Sequence, residues 1–108
     1  ASVDAQALQA AVDRLVEQFQ PQRILLFGSL AQGVSRPESS VDILVVAPGV
    51  GDMRLLDRIR KAIQVTTDAL PTIAPLVYTP EELQLLIDQG DGFMADVLDE
   101  GKVLYQRT

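Results

Sequence analysis

The chain of 108 residues contains no cysteine and no histidine. The absence of cysteine excludes disulfides, thiolate nucleophiles and zinc–thiolate sites, and it fits a reducing compartment. The absence of histidine excludes a serine–histidine–acid triad, a histidine general base and histidine metal ligands. Any catalysis must therefore rely on carboxylates, lysine, arginine, hydroxyl groups or a bound hard cation.

Basic residues and long apolar runs are also few. Fifteen acidic and nine basic residues give a formal net charge of -6, which disfavours unaided binding to nucleic acid or to an anionic membrane. No apolar run approaches the roughly 20 residues of a membrane-spanning helix, and the first residues lack the layout of a signal peptide. We expect a soluble cytoplasmic protein that does not engage a membrane.

The residues that are present predict one globular domain over residues 1–108, since 47% of them are apolar. The spacing of the apolar residues is helical in some segments and strand-like in others. The predicted helices span residues 3–19, 52–65, 80–90 and 93–98, and the predicted strands span residues 24–27, 41–46, 72–78 and 103–105. Asp52 is the expected N-cap of the second helix. Thr79 and Glu82 form a predicted capping box, and Pro75 puts the third strand at an edge or a bulge.

The most informative segment is the end of the first strand, Phe27-Gly28-Ser29. A glycine after a buried strand lets a ligand approach the backbone, and Ser29 offers a hydroxyl and an amide at the start of a turn that Gly33 can end. Such a turn can hold phosphate oxygens, although an isolated Gly-Ser pair is more often only the exit of a strand. The segment has neither the lysine of a Walker loop nor a G-x-G-x-x-G pattern, so it indicates no P-loop and no Rossmann site.

One acid enters the second apolar segment, at Ser40-Val41-Asp42. A carboxylate in a buried segment costs free energy unless it is paired, so Asp42 is where chemistry is expected. The structural alternative is that Asp42 begins the strand and accepts hydrogen bonds from the backbone amides of the Ser39-Ser40 turn. Glu38 shares the strand parity of Asp42, but it lies next to Pro37 in a turn, where a solvated role is expected.

A basic cluster lies on the helix predicted over residues 52–65. Arg54, Arg58 and Lys61 share one helical face, with Arg60 beside them, and the spacing allows an ion pair between Asp57 and Lys61. Most such faces are simply solvated. The alternative is a surface that meets phosphate or an acidic partner.

The glycine–serine turn, the ten residues between Ser29 and Ser40, and Ser40-Val41-Asp42 together resemble the signature of the minimal nucleotidyltransferases, relatives of DNA polymerase beta. The resemblance extends over nearly the whole chain, through residues 78–82 and residues 99–105. It implies a small α/β (α+β) nucleotidyltransferase domain with a short mixed β-sheet packed by helices. The implied activity is transfer of a nucleotidyl group from a nucleoside triphosphate to an acceptor.

In that family the glycine–serine turn grips the triphosphate, and three acids hold two magnesium ions. The resemblance therefore implies nucleotide-binding roles for Gly28, Ser29, Gly33 and Ser40, and a catalytic, metal-binding role for Asp42. Bridging two ions about 3.5 to 4 Å apart requires several carboxylates, because these offset the repulsion between the ions.

The chain departs from the family pattern at the metal ligands. Ser40 stands in the place of the first acid, and counting back from Tyr78 puts Ala74 in the place of the third. Gln32 stands where the family usually has arginine. One carboxylate of three remains, so we expect weak or absent binding of Mg²⁺ and transfer that is weak or inactive.

The alternative is a binding module instead of an enzyme. Minimal nucleotidyltransferases of this type resemble the antitoxin half of two-protein systems, in which the partner is a small all-helical HEPN-type protein. An inactive site can still serve as an interaction surface. A helical companion that co-purifies with the chain would favour this alternative.

Overall fold

The computed structural model describes residues 5–28, 40–70 and 72–107. These residues form four α-helices, four β-strands and one short 3-10 helix. The helices are α1 (Ala5–Phe19), α2 (Leu55–Thr66), α3 (Pro80–Asp88) and α4 (Gly92–Glu100), and the 3-10 helix spans Pro48–Val50. The strands are β1 (Arg23–Phe27), β2 (Val41–Val46), β3 (Ile73–Tyr78) and β4 (Lys102–Gln106). Each predicted helix and strand is present, with ends shifted by a few residues.

The strands form one mixed sheet in the order β3-β2-β1-β4. β1 pairs antiparallel with β2 and with β4, whereas β2 pairs parallel with β3. Pro75 lies in β3, at one edge of this sheet, where its missing N–H costs no ladder bond on the solvent side. The predicted α+β fold with a short mixed sheet and the edge position of Pro75 are both confirmed.

Helices cover both faces of the sheet, which explains why β1 and β2 read as continuous apolar runs. On one face Ile24, Ile43 and Val45 pack in a core with Val12 and Leu15 of α1. On the other face the alternate strand residues pack against α3 and α4, in a second core formed by Leu25, Leu44, Val46, Leu83, Met94 and Val97. Within the described residues, no helix is long and apolar enough to cross a membrane.

Of the two predicted helix caps, the one at Thr79 is confirmed and the one at Asp52 is wrong. Thr79 accepts a hydrogen bond from the Glu82 amide while Glu82 accepts one from the Thr79 amide, so the capping box of α3 is confirmed. Asp52 is not a cap, because α2 begins later, with Arg54 at the N-cap and no side-chain capping bond. The amide of Met53 donates to the Val50 carbonyl, and this turn after the 3-10 helix places Asp52 ahead of α2.

Candidate functional site

The exit of β1 requires glycine for two independent reasons. Gly28 has a φ of 74°, in the left-handed region that costs other residues free energy. A Cβ at position 28 would also collide with the carboxylate of Asp42. This close approach follows from the antiparallel register of β1 and β2, which sets Phe27 opposite Asp42. Gly28, where the predicted turn begins, therefore lies directly beside the acid that the sequence singled out.

We expect Gly28→Ala to lower the free energy of unfolding by about 2 to 3 kcal/mol, through backbone strain and overlap with Asp42. Chemical denaturation monitored by circular dichroism measures this change. Gly90→Ala is the matched control, because Gly90 also has a positive φ but no atom within 4 Å of the added methyl group. If the two substitutions cost the same, the contact with Asp42 contributes nothing.

Asp42 lies on β2 near Ser40 and Ala74, the two positions at which the resemblance implies lost acids. The parallel register pairs Asp42 with Ala74 on β3, so their side chains lie on the same face of the sheet. Ser40 is exposed and immediately precedes β2. The structure thus brings Gly28, Ser40, Asp42 and Ala74 to one end of the sheet, with one carboxylate among them.

The carboxylate of Asp42 is half-buried, and desolvation by burial raises its pKa above the ordinary value. No hydrogen bond to this side chain occurs within the described residues, so the structural alternative of capping by the Ser40 amide finds no support there. The hydrogen bonds that Ser39 would supply fall outside the described residues. Ser29, Gln32, Gly33 and Glu38 also lie outside them, and the roles given to these residues stay predictions.

Asp42 and Gly28 open into a cleft with a volume of about 640 Å³. Its other described lining residues are apolar: Phe27, Ile59, Ile63, Ile73, Ala74, Pro75, Leu76 and Phe93. Phe93 of α4 meets Phe27 edge to face, with ring centroids 5.8 Å apart, and its side chain is 57% exposed. The cleft is therefore an apolar pocket with one carboxylate in its lining and an exposed aromatic residue on its rim.

The donor set of the described residues does not fit a two-metal centre. Within the described ranges, no group of three acidic, histidine or cysteine side chains could hold a metal ion. Asp42 is the one acid among the described lining residues of the cleft. Two magnesium ions held close together would repel each other with too few carboxylates between them.

The prediction of a basic surface on α2 is wrong for Arg58, the central residue of that face. Arg58 is 2% exposed, and its guanidinium donates to the Met53 carbonyl, the Val77 carbonyl and both carboxylate oxygens of Glu82. The shortest of these bonds joins Nη1 to Glu82 Oε1 at 2.6 Å. Arg58 therefore ties α2 to α3 past the edge strand β3, and it is unavailable to phosphate.

The remaining cations of α2 do not form the predicted pair either. Lys61 Nζ lies 3.3 Å from the Gln18 carbonyl and 4.9 Å from the centre of the Phe19 ring. Asp57 instead faces Arg60, at 3.8 Å. Lys61 thus secures α2 against the end of α1, and the predicted contact between Asp57 and Lys61 is replaced by one between neighbours three residues apart.

The mixed sheet, with Gly28 close to the Asp42 carboxylate and helices on both faces, defines a small α+β domain. The chain belongs to the polymerase beta nucleotidyltransferase family, whose model matches residues 9–108. No curated protein matches the chain.

Several solved structures share this fold. A toxin–antitoxin structure with AMP-PNP has a TM-score of 0.62 and 22% identity, covering 93% of this chain and 74% of the other. A candidate nucleotidyltransferase from Sulfolobus solfataricus has a TM-score of 0.59 and 18% identity, covering 94% and 78%. BolA1 from Arabidopsis thaliana has a TM-score of 0.56 and 17% identity, covering 74% and 98%. At these identities the likeness shows the fold alone.

Proposed function

We propose that this chain is a degenerate nucleotidyltransferase domain, in which nucleotidyl transfer is weak or absent. The observation that carries the proposal is the register of Ala74 beside Asp42. A carboxylate at position 74 would lie next to the one at position 42, which is where a shared metal ion needs its ligands. Alanine offers none, and Ser40 offers at most a neutral hydroxyl.

The energetic consequence is large because the family's chemistry depends on charge neutralisation. Metal ions that bridge the reacting phosphate contribute several kcal/mol to transition-state stabilisation, and each ~1.4 kcal/mol lost lowers the rate about tenfold. With Asp42 alone, the site retains the chemistry for at most one Mg²⁺, which substrate phosphates and water would have to complete. We therefore expect weak nucleotide binding through Gly28, Ser29, Gly33 and Ser40, and little turnover.

The second candidate function is a non-catalytic binding module, antitoxin-like, whose partner is a small helical HEPN-type protein. Two observations favour it. One of the structures that share the fold is a toxin–antitoxin complex. In addition, Phe93 and Ile63 expose 57% and 39% of their surface at the mouth of the cleft, and exposed apolar residues grouped in this way are typical of interaction sites.

Calorimetric titration of the protein with ATP and GTP, with and without Mg²⁺, tests the proposed loss of the metal site. We expect no magnesium-dependent heat at micromolar nucleotide and at most weak binding at millimolar concentration, because one carboxylate cannot replace a cluster of three. Asp42→Asn is the matched control, since it removes the charge and keeps the shape. Magnesium-dependent binding in the micromolar range that Asp42→Asn abolishes would contradict the proposal and establish a working site.

A further inference from the structure

The cleft combines a single anionic group with apolar walls. Asp42 has no cationic partner and no hydrogen-bond donor within the described residues, and Phe27, Ile63 and Phe93 lie around it. An occupant that covered this carboxylate without pairing it would incur a desolvation cost. The occupant that fits best therefore carries a cation for Asp42 and an apolar group for the walls.

The segment that carries Phe93 is acidic. From Thr79 to Gly101 the sequence has seven acidic residues and no lysine or arginine, and Arg58 neutralises one of the seven, Glu82. On α4, Asp96 and Glu100 follow Phe93 by three and seven residues and are exposed. Residues at this spacing share one face of a helix, so the aromatic rim continues into an acidic stripe.

Charge complementarity also distinguishes between classes of ligand. A triphosphate carries several negative charges toward this acidic stripe and toward a carboxylate that no cation of the described residues pairs, which opposes its binding. A purely apolar ligand would leave Asp42 unpaired. A basic and apolar protein surface satisfies the carboxylate, the aromatic rim and the acidic stripe together.

We propose that the cleft is the docking site of a protein partner that inserts an arginine or lysine flanked by large apolar residues. The cation pairs with the Asp42 carboxylate, and the flanking apolar side chains pack on Phe93 and Ile63. The acidic stripe, defined by Asp96 and Glu100, attracts the basic surroundings of the inserted residue. This inference deepens the second candidate function above and rests on it.

A peptide titration of the ¹⁵N-labelled protein, monitored by NMR, tests the docking site without requiring the partner itself. The probe is the capped peptide Ala-Leu-Arg-Leu-Ala, and its matched control carries citrulline, a neutral isostere of arginine, at the centre. We expect saturable shifts at Gly28, Ile63 and Phe93, with the arginine peptide binding about fivefold more tightly than the citrulline peptide. Absence of shifts at these residues, or equal affinity for the two peptides, would overturn the proposal.

Two variants assign the interaction to its parts. Asp42→Asn is expected to remove the preference for arginine over citrulline, whereas Phe93→Ala is expected to weaken both peptides equally. Leu85→Ala is the control, because Leu85 is 56% exposed on α3 but does not line the cleft, and it should change neither affinity. A loss of arginine preference in Leu85→Ala would contradict the assignment to the cleft.

The peptide titration is performed without nucleotide or metal, so its outcome is separate from that of the nucleotide titration. Tight Mg-nucleotide binding with no peptide binding would reject both the degenerate site and the docking site. Peptide binding together with tight nucleotide binding would reject the degenerate site and retain the docking site.

Discussion

Glu82→Ala is expected to lower the free energy of unfolding by about 3 kcal/mol. The substitution leaves the Arg58 guanidinium, whose side chain is 3% exposed, buried without its counter-ion. Breaking a buried pair in this way costs ~3–5 kcal/mol, and the lower end applies because the Glu82 side chain is 38% exposed. Equilibrium denaturation in urea measures the change, and Glu81→Ala, an exposed neighbour in the same first turn, should cost less than 1 kcal/mol by the usual ~0.3–1 kcal/mol of a charge near a helix N-terminus.

The loss in Glu82→Ala combines the ion pair with the helix cap, and two further variants separate them. Glu82→Gln keeps an acceptor for the Thr79 amide but removes the charge, so it isolates the ion pair. Arg58→Met together with Glu82→Gln should cost less than the sum of the two single substitutions, because no unpaired charge is left in the core. Strict additivity would show that Arg58 and Glu82 do not act as a pair.

The pH dependence of stability gives an independent readout of the same pair. The hydrogen bond from Arg58 is the main reason that the pKa of Glu82 falls from 4.5 to about 2. A carboxyl group with a depressed folded-state pKa contributes stability that is complete above its unfolded pKa and is lost as the pH falls toward the folded value. Burial shifts the pKa of Asp42 in the opposite direction, so the pH dependence of the unmodified protein alone does not isolate Glu82. The quantity to measure is the difference in free energy of unfolding between the protein and Glu82→Gln. This difference should shrink as the pH falls from 5 to 2.

Local patterns in the sequence predicted the features that depend on neighbours along the chain. The apolar runs gave the strands, and the four residues from Thr79 to Glu82 contain the whole capping box of α3. Pro75 marked an edge strand because a proline lacks the donor that an interior strand needs. The prediction of Asp52 as an N-cap was wrong because the turn that closes at Met53 delays the start of α2 to Leu55.

Contacts between distant residues could not be predicted in this way. Arg58 and Glu82 are 24 residues apart, and each has a sufficient local explanation, as part of a basic face and as part of a cap. The collision between an added side chain at position 28 and Asp42 depends on the antiparallel register of β1 and β2. Counting back from Tyr78 put Ala74 at the third ligand position, and the register of β2 and β3 now places that residue beside Asp42.

Ser40→Asp combined with Ala74→Asp is expected to increase magnesium-dependent binding of ATP by at least about tenfold, since it returns two carboxylates to the positions around Asp42. Ala74 is half-exposed on an edge strand, so the larger side chain has room. Without metal, the three carboxylates repel one another and should lower stability. Magnesium should therefore raise the melting temperature of the double variant and leave that of the parent protein unchanged.

The matched control carries asparagine at both positions, which keeps the shape of aspartate and removes its charge. Calorimetry measures nucleotide affinity, and thermal unfolding with and without Mg²⁺ measures metal binding alone. A gain in both that the asparagine variant lacks would assign positions 40 and 74 as the ligand positions that this chain has lost. Metal-dependent stabilisation without nucleotide binding would place the remaining defect in the phosphate-binding turn. No gain in either would mean that residues 40, 42 and 74 do not converge on a common ion.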